Sequence, residues 1–436
     1  MLYAGAAVRD ISPRRPVALY GYPHIERLST GVHDPLLATV IVLRNPGGTL
    51  VLASLDLLMI EPLYARDLRL AIAEVVDCRD AEVFISCTHT HSGPVTSRLI
   101  GWQNDPAVPN PDPKYLEFVK AQLATAAGVA AKSAVPAELA WTAADAIGVG
   151  GNRLSPEGIT DPECGILALR GSQNREMLAI ALIYGMHPTV LHEDSTLVSA
   201  DFPHYTRLRI RQHLGQEIPI AYHTAPCGDQ SPRWFVTEQT FAEAERLGSK
   251  LGSAICQSLD DLADAAWQDD VQLGARLATV NLPRNPIQPL PEAERLLAEC
   301  RAQFEQLQRD KAPRAEIRTA ECAVFGAEGA LALARTKAHG ELDARLRNYR
   351  SAEAQALQIS DVCLIGLQGE CFVEYALEIK RRAVRRTFVV SLVNGELQGY
   401  IVTPEAAAAG GYEATNAVFA PESGRVLANA AVKLVE

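Results

Sequence analysis

Apolar residues fall in short blocks whose period changes along the chain. "ATVIVLR" (38–44) and "TLVLASLD" (49–56) are β-branched runs flanking "NPGG", which predicts a hairpin. "EPLYARDLRLAIAEVV" (61–76) shifts to helical spacing, and "AEVFISC" (81–87) returns to a short continuous apolar run, a buried strand. The alternation continues with a helix in "YLEFVKAQLATAAGVAAKS" (115–133), an extended "AELAWTAA" (137–144), and strands in "GILALR" (165–170) and "MLAIALIYG" (177–185). "DFPHYTRLRIRQHLG" (201–215) carries a helix start at Asp201, Pro203 in the first turn and a stop at Gly215. "IPIAYHTAPCGDQSP" (218–232) reads as a strand entering a loop, followed by a helix over 238–262. Strands resume in "DVCLIGLQGE" (361–370) and "RTFVVSLVN" (386–394), with a helix at 372–384 between them. Near-continuous apolar strands alternating with helices predict an α/β fold of mixed β-sheets flanked by helices.

Between 291 and 358 the pattern changes to charged, Ala-rich helix formers with a turn near Pro313, which predicts a helical insertion within a single domain spanning 1–436. Composition narrows the partners. The formal charge is −11 and basic residues do not cluster, which argues against nucleic acid. No apolar run reaches the ~18–20 residues that span a bilayer, so no stable membrane insertion is expected. The nine cysteines are odd in number and lack C-x-x-C spacing, so neither a disulfide framework nor a Cys-rich zinc module is expected. With no export signal at the N-terminus, these features lead to the expectation of a cytoplasmic protein. A homo-oligomer remains compatible with all of them.

The candidate chemistry lies at the ends of the apparent strands. "FISCTHTHSGP" (84–94) places His89 and His91 two apart, where strand alternation would turn both rings to one point. Imidazole is the commonest zinc ligand, but two histidines leave a tetrahedral site incomplete. Further candidates are His187 in "YGMHPT", Arg153 in "GGNRLSP", Ser231 in "CGDQSP", Glu370 in "GLQGE", Tyr400 in "GYIVTPE" and Tyr412 in "GGYEA". Singly, each has an ordinary structural reading: a polar loop, an Asp-anchored turn, an acid at a helix start. The H-E-x-x-H and G-x-S-x-G signatures are missing. That weakens a serine-esterase reading built on Ser231, His91 and Asp229.

Taken in order, these words resemble the neutral ceramidase family. The resemblance runs from "VRDISP" and "GYPHIERLSTGVHDPLLATVIVL" through "CTHTHSGP", "GGNRLSP", "HPT" with "SADF", and "CGDQSP" to "GLQGE" and "GYIVTPEAAAAGGYEA". It implies a catalytic Zn²⁺ held by His89, His187, Glu370 and Tyr400, with His91 beside the metal moving a proton. It places Arg153 and Tyr412 at the carbonyl or oxyanion, and Ser231 as an active-site serine that orients the amide or the water. The implied activity is metal-assisted hydrolysis of a linear amide, with a small-molecule amide as partner. A ceramidase proper, acting on N-acylsphingosine, and a non-catalytic small-molecule or metal-binding protein on the same scaffold are the alternatives. Two departures bear on the substrate: "GDQSPRW" puts Arg233 and Trp234 after the motif proline, and the family's lipid-active enzymes carry a further sandwich domain. The expected substrate is therefore a soluble amide, with Arg233 and Trp234 available to a polar or anionic end.

Overall fold

The computed structural model describes residues 1–103 and 105–436, apart from the side chains at 314 and 315. An eight-stranded mixed sheet runs in the order Ile220–Thr224, Met177–Tyr184, Glu163–Gly171, Val135–Asp145, Leu2–Asp10, Leu37–Asn45, Gly48–Leu55, Val83–Cys87. Its interior pairs are antiparallel, including the expected hairpin Leu37–Asn45/Gly48–Leu55, and the outermost pair at each edge is parallel. A second sheet of four strands (Leu273–Asn281, Ser351–Ile359, Val362–Leu367, Arg386–Val390) packs face to face on the first.

Between the sheets lies an apolar core in which Leu52, Phe84, Leu139 and Leu167 of the first meet Leu357, Leu364 and Phe388 of the second. Full burial of one such side chain contributes about 1.5–3 kcal/mol. The outer face of the large sheet is covered by helices Pro62–Val76 and Pro113–Lys132 over one half, and by Phe202–Leu214 and Phe241–Asp260 over the other. Helices Val373–Arg382 and Ser423–Val435 cover the small sheet. The result is four layers, αββα, with both faces of each sheet buried. That is why the strands read as unbroken apolar runs.

The helix boundaries follow the sequence punctuation. Pro62 opens the first helix and Asp77, in the left-handed region, closes it. The Asp201 carboxylate caps Phe202 N, and Gly215 at φ +64° ends that helix. The charged segment forms a helical hairpin, Leu290–Arg309 against Arg314–Ala338, with its own small core of Leu297, Val324, Ala327 and Leu331. It ends sooner than expected from composition: Ser351–Ile359 is the central strand of an antiparallel trio, its outer face of Ala352, Ala354 and Ala356 too Ala-rich to look like a strand. Two strands and one helix gave no clear signal. Leu2–Asp10, central in the large sheet, reads "LYAGAAVRD", and Leu273–Asn281 and Ser423–Val435 are similarly small-residue rich.

The large sheet rolls until its two edges touch. Ser86 Oγ lies 2.7 Å from His223 Nδ1, Thr224 Oγ1 donates to Thr88 O at 2.8 Å, and Ser54 donates to Tyr222 O at 2.5 Å. This rolling brings the loops after Cys87, Tyr184 and Thr224 to one place.

Candidate metal centre

His89 follows the strand Val83–Cys87 with φ +69°, the left-handed region. The strand has therefore ended before the histidine pair, and alternation along a strand is not what brings the two rings together, contrary to the sequence reading. A turn does so: the rings of His89 and His91 sit perpendicular, 5.2 Å apart. A left-handed non-glycine residue is strained, and such strain gathers at functional sites.

Each imidazole is oriented by a backbone carbonyl. His89 Nδ1 donates to Leu58 O at 2.8 Å, His187 Nδ1 to Gln230 O at 3.0 Å and His91 Nδ1 to Gly21 O at 3.1 Å. Gly21 has φ +110°, and a Cβ there would fall 2.4 Å from His91 Nδ1, so this close approach requires glycine. With all three protons on Nδ1, all three Nε2 atoms present lone pairs to the interior.

The geometry then poses a physical problem. His89 Nε2 and His187 Nε2 lie 3.1 Å apart, and Glu370 Oε2 lies 3.2 Å from the first and 3.4 Å from the second. Three acceptors meet, and the one guanidinium nitrogen beside them, Arg153 Nη1, reaches only His187 Nε2, at 3.5 Å. A proton on one imidazole satisfies only its own contacts and leaves the remaining pair facing lone pair to lone pair. One divalent cation satisfies all three. Ligand atoms ~2.0–2.1 Å from a single zinc at tetrahedral angles stand about 3.4 Å apart, close to the separations found. The residues fit a metal.

His91 is the more distant imidazole. The ring nitrogens of His89, His91 and His187 fall within 4.8 Å of one another, and His91 Nε2 is buried without a partner. Burial, reinforced by His89 and His187, holds its pKa well below the usual histidine value. Burial likewise lowers His187 to about 4. For Glu370, burial pulls upward, but His89 and His187 outweigh it and hold the carboxyl well below its ordinary range.

Glu370 and Tyr400 are register partners in a two-residue parallel pair, Glu370–Cys371 with Tyr400–Ile401, so one short bridge carries both side chains to the cleft. Burial, and then Glu370, raises the Tyr400 phenol well above 10. Arg153 is almost fully buried: its Nε lies 2.7 Å from Glu413 Oε1, its Nη1 3.5 Å from His187 Nε2, and its Nη2 has no partner. Its guanidinium carbon stands 5.3 Å from the centre of the Tyr400 ring, and that ring is 5.7 Å from the Tyr412 ring.

Ser231 sits in a two-residue antiparallel pair opposite Gly151, two residues before Arg153, and its hydroxyl accepts from Arg233 N at 3.2 Å. No relay links it to His91 and Asp229. The His91 ring bonds Gly21, while the Asp229 carboxylate accepts from Asn152 Nδ2 and Val373 N. Arg233 donates to Arg153 O and Trp234 Nε1 to Asn152 O, so both brace the "GGNRLSP" loop. Neither lines the cleft, and of the expected site residues Arg153, His187 and Ser231 do not line it either, whereas His89, His91, Glu370, Tyr400 and Tyr412 do.

The cleft encloses about 540 Å³, counting its open mouth, with apolar walls from Leu58, Met59, Trp102, Leu333 and Val418. Leu333 comes from the helical hairpin, which composition alone marked only as charged. Glu413, the ion-pair partner of Arg153, lies in the quoted "GGYEA" beside Tyr412, an acid the sequence reading passed over. The carbonyls of Gly21, Leu58 and Gln230 left no sequence signal, since backbone acceptors have no residue type.

No family model and no curated protein matches the chain. Among solved structures, it is similar to neutral ceramidase from Pseudomonas aeruginosa, with a TM-score of 0.73 at 17% identity, covering 100% of this chain and 74% of that one. A structure described as ceramidase complexed with C2 gives a TM-score of 0.75 at 16% identity, with the same coverage. The fold is neutral ceramidase-like.

Proposed function

We propose that this chain is a zinc-dependent hydrolase of a linear amide, an N-acyl amine, with the metal held by His89, His187, Glu370 and Tyr400. The observation that carries the reading is the meeting of two imidazole lone pairs and a carboxylate oxygen within 3.1–3.4 Å in a buried site. The ceramidase-like fold supports the choice of an amide, since the structural neighbours are named for cleaving one.

When bound, zinc supplies Lewis acidity for the amide carbonyl and lowers the pKa of water toward ~7. The remaining work belongs to the chain. Arg153 is held by Glu413 and lies beside the Tyr400 phenol, so its guanidinium is preorganised to donate to oxygen charge developing on the carbonyl. Tyr412 lines the cleft, and burial holds its phenol protonated, so it is a second donor to the same charge. His91, neutral and with Nε2 free, takes a proton from the attacking water and delivers it to the departing amine nitrogen. Ser231, buried beside the Arg153 loop, positions the amide.

Metal analysis of the purified protein is the test. We expect about one zinc per chain, lost in His89→Ala and His187→Ala, and retained with turnover abolished in His91→Ala. Full zinc occupancy in both ligand variants overturns the site.

A further inference from the structure

The metal cleft has a neighbour. Beyond Leu99, Trp102 and Gln398, which border both spaces, a second hollow of about 950 Å³, counting its open mouth, lies between residues 97–103 with Val108–Asn110 on one side and, on the other, the short helical turns Leu342–Arg345 and Leu346–Tyr349 that follow the hairpin. The two differ in character. The metal cleft is walled mainly by apolar side chains, whereas the second presents Glu61, Arg98, Gln103, Asn110, Arg345 and Asn348.

The partition is rigidly built. Gln398 is left-handed (φ +62°); its Oε1 accepts from Ile100 N at 2.8 Å, and its Nε2 donates to Arg98 O and to Glu396 Oε1, each at 2.9 Å. It thereby fixes residues 98–100 from a position two residues before Tyr400. Backbone strain of this kind persists only where surrounding structure enforces it.

Charge in the hollow runs against the chain's composition. The protein carries a net −11, yet two guanidiniums face this space against the single lining carboxylate of Glu61. Glu61 Oε1 meets Arg98 Nε at 3.3 Å, and Arg345 leans on Glu341, which is outside the hollow, at 2.7 Å. Both are exposed pairs of the kind that hold weakly and can be shared with a ligand.

We infer that this hollow is the subsite for the amine half of the substrate, and that this half ends in a carboxylate, which makes the substrate class N-acyl amino acids. The inference rests on the proposed amide hydrolysis. The acyl half lies along the apolar wall at the metal, the chain crosses Leu99, Trp102 and Gln398, and the carboxylate lies between Arg98 and Arg345. Water adds at the carbonyl and the C–N bond breaks, giving one carboxylic acid and one amine, with the proton on nitrogen; no other co-reactant is needed.

The experiment compares N-hexanoyl 4-aminobutyrate with N-hexanoyl 4-aminobutanol, equal in length and differing in charge, on zinc-loaded protein. The expected result is a kcat/KM preference for the carboxylate of about tenfold or more, as a charge-assisted hydrogen bond provides. In Arg98→Gln/Arg345→Gln the ratio falls to near 1. Both side chains are exposed, at 64% and 44%, and neither packs in the core, so this variant folds. Equal rates in the unmodified protein overturn the subsite and leave amide hydrolysis standing. If neither compound turns over, calorimetric binding of the carboxylate decides. Affinity lost in the double variant supports the subsite and overturns the hydrolase reading; affinity unchanged in that variant, or absent in both proteins, overturns the subsite.

Discussion

His91 and Ser231 show how the partners of a polar side chain decide its role. His91 has one nitrogen fixed by a carbonyl and the other empty, the arrangement of a proton carrier. Ser231 has its hydroxyl engaged by Arg233 N and, among the described residues, no base within hydrogen-bond reach. A serine nucleophile needs an adjacent base to become reactive. Ser231→Ala should therefore keep its zinc and lower turnover roughly fivefold to tenfold, the worth of a modest positioning contact. Mass spectrometry of intact protein quenched during turnover checks this: a stoichiometric acyl adduct on Ser231 would contradict it. The nine cysteines are all free thiols, and burial raises those at the site, Cys227 well above its usual value and Cys371 to about 12, so they are poor competitors for this chemistry.

At the scale of elements, the site depends on connections whose shape only glycine tolerates. Gly399, φ +121°, precedes Tyr400, and a Cβ there would fall 2.0 Å from the backbone oxygen of Asn416. That oxygen cannot rotate away as a side chain could. Gly399→Ala should push apart the Tyr400 strand and the Tyr412–Thr415 turn, costing about 3 kcal/mol or more and most of the turnover. Gly215→Ala is the control: also left-handed but open, with nothing within 4 Å, it should cost about 1 kcal/mol and leave turnover intact. Equal thermal shifts in the two variants would refute the argument. Elements were legible where periodicity was strong, as in Leu37–Leu55 and Pro62–Val76. Leu2–Asp10 was not, because Ala and Gly carry little strand signal and its place is fixed by neighbours on both sides. The site words were legible as words. That Glu370 would stand 3.2 Å from His89, 281 positions away in the chain, was carried by resemblance and not by any local pattern.

The whole molecule adds what no segment shows: the large sheet closes on itself, and the seam traps a histidine. His223 is fully buried, Nδ1 against Ser86 Oγ and Nε2 without a partner. Burial, helped by Arg207, lowers its pKa to about 3. Arg207 is itself held by a bidentate pair to Asp56 at 2.7 and 2.8 Å, so its charge is fixed beside the seam. A base whose folded pKa is lowered binds fewer protons folded than unfolded between pH ~3 and ~6.5, so its contribution is full above ~6.5 and is lost as pH falls through that window. The difference amounts to about 5 kcal/mol. Acid should therefore open the sheet at its seam, displacing the loops that carry His89 and His187 as the edges part. His223→Phe removes the titration and keeps an aromatic ring, somewhat larger, beside Phe84, whose ring centre is 6.0 Å away. Between pH 6.5 and 4 the melting temperature of the unmodified protein should fall more steeply than that of the variant. Since the other buried histidines are common to both, the difference isolates the seam; parallel curves would show that His223 does not hold it.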